Sequence, residues 1–121
     1  MPLEWSAFDI LLREGNMKIL FWCDDLTNRM RLASAWKEDG ATLLKKTTAE
    51  TPDCIVIDLA VRNALAHIAR LRASHPGVDI IAFGAKFDDE TFGGALAAGA
   101  TEVAALGSIR ERITRRLPRA D

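Results

Sequence analysis

The run Cys54-Ile55-Val56-Ile57-Asp58 constrains this chain more than any other segment. Four apolar residues in a row, bounded by Pro52-Asp53 before and a carboxylate after, read as a strand covered on both faces. Such strands belong to parallel sheets flanked by helices. A carboxylate where a buried strand runs out is costly unless it is hydrated, paired or metal-bound. In open parallel sheets the carboxyl ends of the strands are where ligands and chemistry sit. Asp58 is therefore the first candidate site residue. A second acidic pair, Asp24 and Asp25, follows another apolar run, Lys18-Ile19-Leu20-Phe21-Trp22-Cys23.

The rest of the chain alternates in the same way from Met17 onward. Strands are predicted at about 18–23, 41–44, 53–59, 78–83 and 102–106. Helical spacing places Leu26, Met30, Ala33 and Trp36 on one face of a first helix, with Asp25 as N-cap and Gly40 as its stop. Thr47-x-x-Glu50 has capping-box form but meets Pro52 at once, so only a single turn fits there. A further helix carries Val61, Ala64 or Leu65, Ile68 and Leu71 inward, with Asn63, His67 and Arg70 outward. Asp88-Asp89-Glu90 opens another helix, which Gly99 stops. Ser108-x-x-Glu111 reads as a capping box for the last helix, with Ile109, Ile113 and Leu117 on its apolar face. Right-handed crossovers between such elements give a flavodoxin-like α/β fold, a doubly wound five-stranded parallel sheet of order 2-1-3-4-5 with the second helix reduced to at most a turn. The first and third strands are then neighbours, and Asp24, Asp25 and Asp58 converge on one place.

The bulk numbers fit one domain. The 121 residues are 49% hydrophobic and 27% charged, with a net charge of −1. That balance implies no nucleic acid and no membrane as partner. No apolar run approaches a membrane span and no signal-peptide pattern opens the chain, so the expected localisation is cytoplasmic. Cys23 ends one strand and Cys54 begins another, at opposite edges of the sheet, so no disulfide is expected. No nucleophile elbow, Walker loop or zinc spacing is visible, and no enzyme is expected. Residues 1–16 stand outside the alternation. They read either as a tail left by an alternative translation start or as one helix carrying Leu3, Trp5, Phe8, Leu11 and Leu12 over exposed apolar surface. The division is an extension, 1–16, and a domain, 17–121.

Lys18-Ile19-Leu20…Asp24-Asp25, Pro52–Asp58 and Ala95-Leu96-Ala97-Ala98-Gly99-Ala100-Thr101-Glu102 together resemble the receiver domain of bacterial response regulators, over about 17–117. The resemblance implies the same CheY-like fold, a phosphoacceptor at Asp58, and Mg²⁺ held by Asp58 and an acidic pair. Counted from Lys18 that pair is Cys23 and Asp24; counted back from the helix it is Asp24 and Asp25. Three positions depart from the family. Cys23 stands for a carboxylate in the first register, Gly84 for the usual Ser or Thr, and Leu106 for the usual Lys. A thiol is a poor Mg²⁺ ligand, so metal binding is expected to be weak. Lys86 is a candidate replacement for the lost charge. The resemblance also implies a contact surface on the last helix, at Arg110, Arg112, Arg115 and Arg116.

The reading is a stand-alone pseudo-receiver acting through protein partners, a histidine kinase or output protein, or as a homodimer. The alternatives are a working Mg²⁺-dependent phosphoacceptor at Asp58, and a small-molecule-binding flavodoxin-like domain.

Overall fold

Five parallel strands form one sheet, in which the second strand of the sequence lies at one edge, followed by the first, third, fourth and fifth. The computed structural model describes residues 17–86 and 88–117. In chain order the elements are β1 (Lys18–Trp22), α1 (Leu26–Glu38), β2 (Thr42–Leu44), β3 (Cys54–Asp58), α2 (Ala64–Ser74), β4 (Asp79–Gly84), α3 (Asp89–Ala98), β5 (Glu102–Ala105) and α4 (Leu106–Arg116). β3 lies at the centre and is buried throughout, which is why its run lacks polar alternation. The predicted fold class and strand order are those observed.

The period-2 geometry of the strands divides the core in two. Ile19, Phe21, Val56 and Ile81 face α1 and α4, where Leu32, Trp36, Ile109 and Ile113 close over them. Leu20, Ile55, Ile57 and Ile80 face α2 and α3, meeting Ile68, Leu71 and Ala95. Trp36 anchors the first layer. Its ring meets Phe21 edge-on at 5.0 Å, and its Nε1 donates to the Arg110 carbonyl at 3.1 Å, tying α1 to α4. Burying Ile109 and Ile113, each fully enclosed, contributes about 1.5–3 kcal/mol apiece.

Several local expectations need correction. The buried face of α1 is Leu32, Ala35 and Trp36, while Leu26 and Met30 are 58% and 61% exposed. Of the two alternatives in α2, Ala64 is the inward residue and Leu65 lies at the surface. Residues 45–53 hold a single turn and no helix, as expected. Their turn is closed by the Thr48 amide on the Lys45 carbonyl at 2.9 Å, and Thr48, not Thr47, accepts from the Glu50 amide at 3.1 Å. β5 ends at Ala105, so Leu106 begins α4. That places Ser108 inside the first turn, where its hydroxyl donates to the Ala105 carbonyl at 3.2 Å and caps nothing. Asp25 does cap α1, accepting from the Asn28 amide at 2.9 Å. Gly99 ends α3 at φ +125°, a conformation that L side chains resist. Cys23 and Cys54 are both free thiols.

Candidate functional site

Asp58 is the buried charged side chain among the described residues, 5% exposed at the carboxyl end of β3. Two groups satisfy it. The Ala60 amide donates to Oδ1 at 2.9 Å, and the Cys23 thiol donates to Oδ2 at 3.5 Å. β1 pairs with β3 through Trp22 and Ile57, so the next residue on β1 lands beside the next residue on β3. Cys23 is thus the neighbour of Asp58 on the β1 side. Burial first, and then the Asp58 charge, push the Cys23 thiol up to about 11 from 9.0, which holds it protonated as a donor.

The other two carboxylates have partners of their own. Asp24 is exposed and 3.9 Å from Lys46 Nζ. Asp25 is engaged at the α1 cap. Among the described residues no three His, Cys, Asp or Glu side chains are placed to hold a metal ion. The donors near Asp58 do not fit Mg²⁺, which requires hard oxygen ligands in near-octahedral array.

The remaining departures have geometric causes. A Cβ on Gly84 would meet the Phe92 ring at 3.3 Å and Leu59 at 3.7 Å, so the space a Ser or Thr would use is filled. At the end of β5, Ala105 is exposed and Leu106 packs against the α1–α4 layer, and neither side chain carries a charge. Lys86 lies on a cavity of about 290 Å³ with Leu59, Ala60, Gly84 and Phe92, and makes no ion pair among the described residues.

The arginines of α4 are largely engaged within the chain. Arg116 meets Asp79 at 2.6 Å and Glu102 at 3.3 Å. Arg112 lies 3.7 Å from Glu102 and Arg115 2.7 Å from Glu111. Burial opposes the charge of Arg116, but the hydrogen bond it donates to Asp79 and the charge of Glu102 outweigh it and raise its pKa. Arg110 is exposed.

One cluster has no counterpart in the sequence reading. Trp22 stacks on His67 at 4.1 Å, with Lys46 Nζ 5.4 Å and the Arg70 guanidinium 5.8 Å from its ring. Arg70 donates to His67 Nδ1 at 3.1 Å, which puts the imidazole proton on Nε2. These side chains come from β1, the β2–β3 link and α2. They cover the tryptophan where no helix follows β2. Only the i, i+3 spacing of His67 and Arg70 hinted at it.

Neither a protein-family model nor a curated protein sequence matches the chain. Solved structures do. A response regulator from Thermotoga maritima superposes with a TM-score of 0.69 at 17% identity, covering 83% of this chain and 96% of that one. A CheY-like response regulator receiver domain protein from Methanospirillum hungatei gives 0.72 at 16%, covering 83% and 92%. A response regulator protein from Burkholderia pseudomallei, solved with a phosphorylated aspartic acid, a calcium ion and citrate, gives 0.73 at 22%, covering 84% and 66%. The chain has the fold of response regulator receiver domains. No described helix is long and apolar enough to cross a membrane.

Proposed function

We propose that this chain is a receiver-like module of bacterial two-component signalling, cytoplasmic, that works through protein contacts and not through phosphorylation of Asp58. The observation that carries this reading is the environment of Asp58. Its carboxylate is enclosed and bonded to a neutral thiol and one amide. Neither Ala105 nor Leu106 at the end of β5 carries a charge, and Gly84 offers no hydroxyl. A phosphoryl group carries about two negative charges and needs cationic or metal partners to offset them. A histidine kinase or an output protein is then a docking partner without phosphotransfer.

Beryllofluoride with Mg²⁺ tests this. The amide spectrum of the full chain is expected to stay unchanged at Leu59, Ala60, Gly84 and Ala85. Saturable shifts at those residues would instead establish Asp58 as a working phosphoacceptor.

A further inference from the structure

α1 carries two apolar stripes. Leu32, Ala35 and Trp36 are buried against the sheet. Leu26, Met30 and Ala33, at i, i+4 and i+7, form a second row one helical face away, and its two large side chains are more than half exposed. Met30 and Ala33 make one wall of a groove of about 650 Å³, Leu43 and Leu44 of β2 make the other, and Phe21 lies at its floor. Four cations, Arg29, Lys37, Lys45 and Lys46, line it against the single carboxylate of Asp24. An apolar trough with a basic rim is a docking surface.

We propose that the occupant of this groove is residues 1–16 of the same chain. Three observations select it. The segment is attached at Met17, whose carbonyl accepts from the Thr42 amide at 2.8 Å, so its point of attachment lies beside β2. The C-terminal end of α1 lies at the same edge, since the Gly40 amide bonds to Lys37 and the Ala41 amide to Trp36 just before β2 begins. Length is sufficient. The α1 wall from Lys37 back to Arg29 spans about 12 Å, and sixteen residues cover about 24 Å even if fully helical. Composition matches: Leu3, Trp5, Phe8, Leu11 and Leu12 supply apolar groups, and Glu4, Asp9 and Glu14 outnumber Arg13 opposite the basic rim. Tethering at Met17 gives this segment an effective concentration of order millimolar, ahead of any free competitor.

The full chain with methyl-labelled methionine provides the test, the Met30 signal being assigned through Met30→Leu. The Met30 methyl group is expected to show NOEs to the rings of Trp5 or Phe8. In an isotope-filtered mixture of labelled and unlabelled protein those contacts are expected to vanish, because they are intramolecular. Absence of the contacts overturns the proposal, as does their appearance only between copies, which would make the occupant a second molecule. Met30→Asp alters an exposed side chain and leaves the core intact. Trypsin is expected to cut after Arg13 about tenfold faster in that variant, with an unchanged circular dichroism spectrum. Equal cleavage rates also overturn the proposal. Neither result depends on whether Asp58 accepts a phosphoryl group.

Discussion

The thiol of Cys23 donates to Asp58 Oδ2 across 3.5 Å, so the chain just past β1 presents a neutral hydrogen-bond donor to an enclosed carboxylate. This pairing resolves the desolvation problem of Asp58 without a cation. A protonated thiol satisfies a lone pair and adds no charge.

Cys23→Asp would place a second carboxylate in the same enclosed space. Like charges that close cannot both ionise cheaply. The variant is expected to lose about 1–3 kcal/mol in the absence of divalent cations. Millimolar Mg²⁺ should recover part of that loss, while the parent protein shows no Mg²⁺ response. Urea midpoints with and without Mg²⁺ measure both. An equal response in the two proteins would show that the thiol is not what disfavours the metal.

The cysteines also make stability sensitive to alkali. Burial first pushes Cys54 up to about 12 and Cys23 up to about 11, both from 9.0. A raised folded-state pKa means the folded protein holds the proton more tightly than the unfolded chain. The stabilisation is therefore complete below about pH 9 and is lost as pH rises through 11 to 12. Urea midpoints are expected to fall above pH 9, and Cys54→Ala should flatten that slope. At pH 8 a disulfide reagent should label either thiol only at the rate of opening.

Much of this architecture is legible from residues alone. The unbroken run of β3 announced a doubly covered strand, and the alternation around it gave the sheet order. The misreadings have physical causes. In α1 both stripes sit at helical spacing, and periodicity does not say which one faces the sheet. Leu106-Gly107-Ser108 reads as strand end, turn and cap, yet the chain enters α4 directly at Leu106. The Cys23–Asp58 contact depends on how β1 pairs with β3, which residue types alone do not give. Trp22, Lys46, His67 and Arg70 come from three separate segments, and no local pattern reports such a meeting. Residues 1–16 and 118–121 lie outside the described residues.

The glycine at position 84 has a steric cause that can be measured. A Cβ there falls 3.3 Å from Phe92 Cε1, tighter than ordinary packing. Gly84→Ser is expected to cost about 1–2 kcal/mol. In a Phe92→Ala background the ring is gone, and the serine should be tolerated. A double-mutant cycle is expected to give a coupling of about 1 kcal/mol. Strict additivity would mean that Phe92 does not decide the residue at 84.

Arg72 is the strongest polar anchor away from the candidate site. Its guanidinium donates to the carbonyls of Gly99 at 2.9 Å, His75 at 3.1 Å, Pro76 at 3.1 Å and Val78 at 2.6 Å. It also donates to Thr101 Oγ1 at 3.0 Å, and that hydroxyl oxygen accepts from the Ile80 amide at 2.9 Å. One side chain thereby joins the end of α2, the loop into β4 and the turn between α3 and β5. Arg72→Ala is expected to lose about 2–4 kcal/mol, because half-buried carbonyls lose charged donors. Arg72→Lys should recover little of this, since an ammonium does not reproduce the planar fork. Gly99 is fixed by the same contact: its φ is +125°, and a Cβ would lie 2.8 Å from Arg72 Cβ. Gly99→Ala is expected to cost about 2–3 kcal/mol. Thermal unfolding of the three variants decides the matter. A lysine variant as stable as the parent would mean that charge, not the geometry of the five donors, holds this corner together.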